Sequence, residues 1–228
     1  MRNKALGFTL IELLIAVSIL SALLFTGTYM YQMLAGRWDK ELGEFNASSQ
    51  KMKNLSLLSN VLRGIHPYII LDEQMDSKKP AFLFVGGEER LLSVTRSGLF
   101  EPSHPEVFRI ILEQNKKGLF NLIYQSISTK DILVLTAAQE INFKNKIVLL
   151  EDLDEIKFGY LGWNGFLERS NADQTGQTVS WRNGFSGIDN QLLPEKMTVY
   201  IKQKQKEITF VIYFDQNSLR FLAPYYGE

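Results

Sequence analysis

The 228-residue chain has no cysteine. That excludes a disulfide framework, thiolate metal ligands and a thiol nucleophile. Histidine is nearly as scarce. His66 precedes Pro67 at a turn, and His104 lies in Pro102-Ser103-His104-Pro105, so neither has the companions that a metal site or a catalytic base needs. No G-x-S-x-G, P-loop or H-E-x-x-H pattern occurs, which argues against an anchored enzyme. Net side-chain charge is zero, with 25 basic and 25 acidic residues, so no basic excess points to nucleic acid. Two local absences say more. Proline is missing from Phe8 to Ile65, and no charged residue occurs among the 24 residues from Leu13 to Gly36.

What fills that charge-free region is an apolar run opening at Leu6 and lasting to about Leu34, in which Glu12 is the only charge between Lys4 and Arg37. A helix crosses the roughly 30 Å hydrocarbon core with about 20 apolar residues, so the run is long enough to span. A secretory signal would explain Arg2 and Lys4 ahead of it. The run is too long for a typical signal, however, it holds an acid, and no small-residue cleavage site follows. A simple anchor explains the length and a cytoplasmic N-terminus, but not Glu12. An acid inside a spanning segment costs on the order of 2.5–3.5 kcal/mol at its centre and less near an end, which makes Glu12 a functional candidate. The plain structural alternative is a capping box, since Thr9-Leu10-Ile11-Glu12 has the T-x-x-E spacing and an acid suits the positive end of a helix dipole. A glutamine would cap as well without bringing charge into lipid.

The stretch Gly7-Phe8-Thr9-Leu10-Ile11-Glu12-Leu13 resembles the processing site of type IV pilins and type II secretion pseudopilins. The resemblance implies cleavage between Gly7 and Phe8 by a membrane prepilin peptidase, with methylation of the new N-terminal Phe8. It also implies pairing of Glu12 with the α-amino group of a neighbouring subunit's Phe8, two groups costly in lipid that offset one another. The chain is then expected to be a filament subunit rather than an enzyme, with no cofactor and no metal. Its expected partners are prepilin peptidase, other minor and major pseudopilins, and an inner-membrane assembly platform. Losing Arg2 and Lys4 with the leader leaves 23 basic and 25 acidic side chains. Many major pilins close a C-terminal loop with a disulfide, so the lack of cysteine favours a pseudopilin or minor pilin.

The expected organisation is a leader at 1–7, a transmembrane helix at 8–34, an amphipathic periplasmic helix at 35–66 and a β-rich domain at 67–228. Tyr29, Tyr31 and Trp38 sit where rings prefer the membrane interface or neighbouring helices. Gly27 and Gly36 are candidate flex points. Beyond Arg37 the residues Trp38, Leu42, Phe45, Met52, Leu55, Leu58, Leu62 and Ile65 continue a stripe from Leu34 at steps of mostly three or four, predicting one face against a sheet. Gly64-Ile65-His66-Pro67 ends the helix. From Thr9 to Ile65 this is 57 residues, or about 85 Å at roughly 1.5 Å per residue.

After Pro67 the period becomes two. Strands are predicted near Tyr68–Leu71, Ala81–Val85, Leu91–Thr95, Val107–Glu113, Leu119–Ser126, Ile156–Leu161, Met197–Lys202, Glu207–Phe214 and Leu219–Leu222, with hairpin loops at Asn115–Gly118 and Gln203–Lys206. The class is α+β, a pilin-like long helix packed on antiparallel sheet. Lys202, Lys204 and Lys206 read as a solvated hairpin tip rather than a DNA surface. The acids at Glu151, Asp152, Asp154 and Glu155 read as a charged turn, because a calcium loop needs regularly spaced oxygen ligands around a glycine turn, and Asn171–Gly176 is treated likewise. Gly162 to Leu193 reads as a long loop. The order of Val94-Thr95-Arg96-Ser97-Gly98, Leu149-Leu150, Ile156–Tyr160, Trp163, Trp181 and Leu193-Pro194 resembles the J-type minor pseudopilin of type II secretion. That resemblance implies a place in a tip complex of the periplasmic filament that primes assembly. A minor pilin of a type IV pilus, serving biogenesis, adhesion or DNA uptake, is the alternative.

Overall fold

The computed structural model describes residues 9–72 and 79–225. Helix α1 runs unbroken from Leu10 to Arg63, 54 residues, as the lack of internal proline and the density of Leu, Ile and Ala predict. The chain divides into two compact units, residues 1–52 and 53–228. Within the first, the apolar residues of α1 are exposed, including Leu34, Trp38, Leu42, Phe45 and Met52. The predicted stripe is therefore covered only from Leu55 onward: Leu58, Val61, Leu62 and Ile65 are buried in the second unit's core.

Among the described residues twelve strands follow: β1 (Ile69–Asp72), β2 (Lys79–Phe82), β3 (Val85–Gly86), β4 (Leu91–Thr95), β5 (Glu106–Gln114), β6 (Phe120–Ser128), β7 (Asn145–Leu153), β8 (Glu155–Gly162), β9 (Ser180–Arg182), β10 (Phe185–Ser186), β11 (Lys196–Gln203) and β12 (Lys206–Tyr213). They form a six-stranded sheet ordered β10-β3-β4-β5-β6-β7, a four-stranded sheet ordered β12-β11-β8-β9 and a β1–β2 ribbon. Every pairing between these strands is antiparallel, so the chain has the α+β class expected of it. The main core draws Phe108, Ile110, Leu122 and Tyr124 from the larger sheet, Phe158, Tyr160, Met197 and Val199 from the smaller one, and Phe84 from the link between β2 and β3, around the end of α1. A second cluster, with Val94, Val107 and Ile127 in one cross-strand row, covers the other face of the larger sheet. The two sheets are tied by Phe158 N–H donating to the Glu88 carbonyl at 2.8 Å and Tyr160 O–H donating to the Gly87 carbonyl at 3.1 Å.

Four stretches differ from expectation. Glu151 to Glu155 is not a charged turn: the acids lie in β7 and β8, with Asp154 alone between them. Strand β7 escapes a period-two reading because its register against β6 slips between Phe120 and Ile123, which buries Leu149 and Leu150 in succession. Leu219–Leu222 is not a strand, since Ser218–Phe221 forms a 3-10 turn that turns Leu222 into the core. The region from Gly162 to Leu193 carries β9 and β10 besides three short helices, α2 (Phe166–Ser170), α3 (Ala172–Thr175) and α4 (Gly187–Asn190). The hairpins fall as predicted, with Asn115 to Leu119 joining β5 to β6 and Lys204-Gln205 joining β11 to β12.

Candidate functional site

Gly7 and Phe8, the expected processing residues, lie outside the described residues, and the site is built from Thr9 onward. Glu12 sits in the first turn of α1. Its Oε2 accepts the Thr9 backbone N–H and the Thr9 hydroxyl, both at 2.9 Å, while the Glu12 N–H donates to Thr9 Oγ1 at 3.3 Å. This is a complete reciprocal capping box, which satisfies donors that a helix start otherwise leaves open. The cap and a pairing role are compatible, because a carboxylate has about four acceptor positions and the box uses two.

Beyond Glu12 the helix solves the problem of polar groups in an apolar setting internally. Ser18, Ser21, Thr26 and Thr28 donate their hydroxyls to the carbonyls four residues back at 2.8–2.9 Å. That leaves an outer surface of aliphatic and aromatic side chains, and α1 is long and apolar enough to cross a membrane. The arrangement suits burial against lipid or other helices, with one negative group at one end.

At the other end, the C-terminal carbonyls of α1 are met by the segment Val94 to Gly98, which the sequence singled out. Thr95 Oγ1 donates to the Val61 carbonyl at 2.7 Å, Arg96 N–H donates to the Gly64 carbonyl at 2.9 Å, and His66 N–H donates to the Val94 carbonyl at 3.2 Å. Gly64 permits this approach, since a Cβ there would lie 2.7 Å from the Ser97 side chain. His66 Nδ1 is enclosed without a hydrogen-bond partner. Burial first and the Arg96 charge second push the His66 pKa down to about 4, against a smaller opposing pull from the Gly64 backbone.

Sequence reasoning missed Glu106, a fully buried carboxylate at the start of β5. Its Oε1 accepts the N–H groups of Phe100 and Glu101 at 2.8 and 2.7 Å, and its Oε2 accepts the Tyr124 hydroxyl at 2.8 Å. Burial, then the Glu106 charge, raise the Tyr124 pKa. The carboxylate therefore holds the 97–105 loop from inside, and a Cβ at Gly98 would collide with it. The alternation of Glu106 with Val107 in a strand gave no signal that the acid points inward.

The other flagged groups are dispersed among local partners. Asp152 accepts from Asn115 Nδ2 at 2.7 Å and Lys117 Nζ at 2.9 Å, and the Lys117 hydrogen bond holds its carboxyl below the usual range. Asp154 accepts the Lys204 N–H at 2.7 Å, and Glu155 pairs with Lys157. Lys204 and Lys206 stand exposed at the hairpin tip, and Lys202 pairs with Glu207 at 3.4 Å. His104 lies 4.0 Å from Glu101. Trp163 Nε1 donates to Glu195 at 3.1 Å, so the first loop tryptophan is a fixture of the fold, whereas Trp181 is exposed. Among the described residues, no three carboxylate, histidine or cysteine groups converge as metal ligands would.

Residues 2–27 match the family model described as the prokaryotic N-terminal methylation motif. That motif supports a subunit of the pilin and pseudopilin type, made as a precursor for prepilin peptidase and built to assemble with other such subunits. Comparison with curated proteins returned no match, and comparison with solved structures returned none either.

Proposed function

We propose that the chain is a minor pseudopilin, a structural subunit of the periplasmic filament of a type II secretion system, in the tip complex that primes assembly. The reading rests above all on one observation: a motif of the methylated type spans residues 2–27 and holds a single acid, Glu12, followed by 24 residues without charge. Prepilin peptidase cuts between Gly7 and Phe8, and Phe8 becomes the methylated N-terminus. The segment 8–34 spans the inner membrane with its start on the cytoplasmic side, and the β-rich domain from residue 67 lies in the periplasm. Glu12 stays ionised because the α-amino group of an adjacent subunit's Phe8 lies against it, and this pair fixes axial register between neighbours. The lack of cysteine favours a pseudopilin or minor pilin over a major pilin, and the order of Val94–Gly98, Leu149-Leu150 and Trp163, which resembles the J-type member, favours its place in that complex.

The test is the variant Glu12→Gln, which keeps the capping geometry and removes the charge. The expected result is a processed, membrane-inserted protein that no longer cross-links to neighbouring subunits. Normal incorporation of the neutral variant would remove the role given to Glu12.

A further inference from the structure

Two sheets expose four edges, and three of them are blunted. Strands β9 and β10 are three and two residues long. Strand β7 is irregular against β6, and its Glu151 carbonyl already accepts Gln203 Nε2 at 2.6 Å. The fourth, β12, is different. It pairs with β11 over eight residues without a slip and, among the described residues, has no strand on its other side. From Ile208 to Tyr213 it carries no charge, proline or glycine, and its residues Ile208, Thr209, Phe210, Val211 and Tyr213 are of the kind that favour strands. On its core face Ile212 is buried while Ile208 and Phe210 remain half-exposed, so the apolar layer stops unfinished at this edge.

We infer that β12 is an edge for strand addition, and that its occupant is β12 of a second copy of this chain, paired antiparallel about Phe210. Direct neighbours across an antiparallel pair share a face, so only registers that match like faces are allowed. Centring on Phe210 sets Ile208 opposite Ile212 of the second copy, Thr209 opposite Val211 and Glu207 opposite Tyr213. Lys196 Nζ lies 5.2 Å from the Tyr213 ring centroid, so Glu207, which pairs with Lys202 at 3.4 Å within its own chain, stands across Tyr213 from the other copy's Lys196 ammonium, twice by symmetry. Shifting the centre to Val211 moves Glu207 past Tyr213, beyond the end of β12 and away from Lys196, toward Asp215 of the other copy, which is paired with Arg220. Shifting it to Thr209 loses the contact with Lys196. The two-fold pairing closes on itself and leaves no free edge to propagate, which distinguishes it from aggregation.

The test exploits the cysteine-free background, with full-length protein in detergent. Thr209→Cys and Val211→Cys chains, mixed and oxidised, are expected to give a disulfide-linked dimer at least tenfold more abundant than either variant oxidised alone. Glu207→Lys should weaken self-association roughly fivefold by sedimentation, and Lys196→Glu in the same chain should restore it. No cross-link in the mixture, equal cross-linking by either variant alone, or self-association indifferent to Glu207→Lys would each overturn the pairing. Dimers held only through the apolar helix would produce the last of these outcomes.

Discussion

Glu12 and Glu106 are both carboxylates that accept nearby backbone N–H groups, yet one is exposed on a bare helix and the other is enclosed in a sheet. Removing Glu106 leaves two amides and the Tyr124 hydroxyl without acceptors in the interior. Glu106→Ala should therefore lower stability by about 2–4 kcal/mol, read as a loss of Tm of the full chain in detergent. Gly98→Ala should also destabilise, through collision with the same carboxyl. His66 gives a pH dependence. Its folded pKa of about 4 lies below the usual value near 6.5, so the unfolded chain binds the proton first. The stability it permits is present above about pH 6.5 and is lost as pH falls toward 4. His66→Phe should flatten the Tm profile across that window. Tyr124 acts at the opposite limit: its raised pKa means the folded chain keeps a proton the unfolded chain releases, so stability falls as pH rises beyond about 10.

At the scale of elements, the sequence spoke clearly wherever one period ruled a long stretch. Helix α1 was legible because nothing from Leu10 to Arg63 interrupts it, and β11 and β12 were legible because burial alternates along them. Strand β7 was hidden by its slipped register, and the 3-10 turn at Ser218–Phe221 by an apolar spacing that serves turn and strand equally. Glu12 could be read from its isolation in an uncharged run. Glu106 could not, because an inward acid in a strand has the same local sequence as an outward one. The β11–β12 connection carries its own cost, since Lys204 and Gln205 both hold positive φ, 47° and 64°. Such a two-residue turn favours Asn-Gly, so Lys204→Asn with Gln205→Gly should stabilise the protein by about 1 kcal/mol in denaturant unfolding. The exposed and buried stretches of α1 should respond differently. Leu58→Ala, inside the core, should cost about 3 kcal/mol. Leu42→Ala, fully in the exposed stretch, should change the β domain's stability by under about 0.5 kcal/mol.

At the scale of the whole molecule, carboxylates such as Glu106 and Asp152 are held by local partners, while the apolar side chains along residues 10–52 of α1 are exposed within one chain. Such a surface is stable in water only if lipid or other subunits take it up. The side chains suit that division: hydroxyls folded back onto α1 carbonyls, a capped acid at its start, and surface ion pairs such as Lys117–Asp152 and Lys146–Glu113 in the second unit. In the proposed subunit, an uncompensated carboxylate in the membrane waits for an amine that exists only after the leader is cut. Replacing Gly7 by a larger residue should block both events at once and leave an uncleaved precursor outside the filament. The most direct measurement is the intact mass of the protein extracted from its native membrane. The expected mass is that of residues 8–228 plus one methyl group, on a chain beginning at N-methylated Phe8. A functional protein whose mass retains Met1 to Gly7 would contradict it.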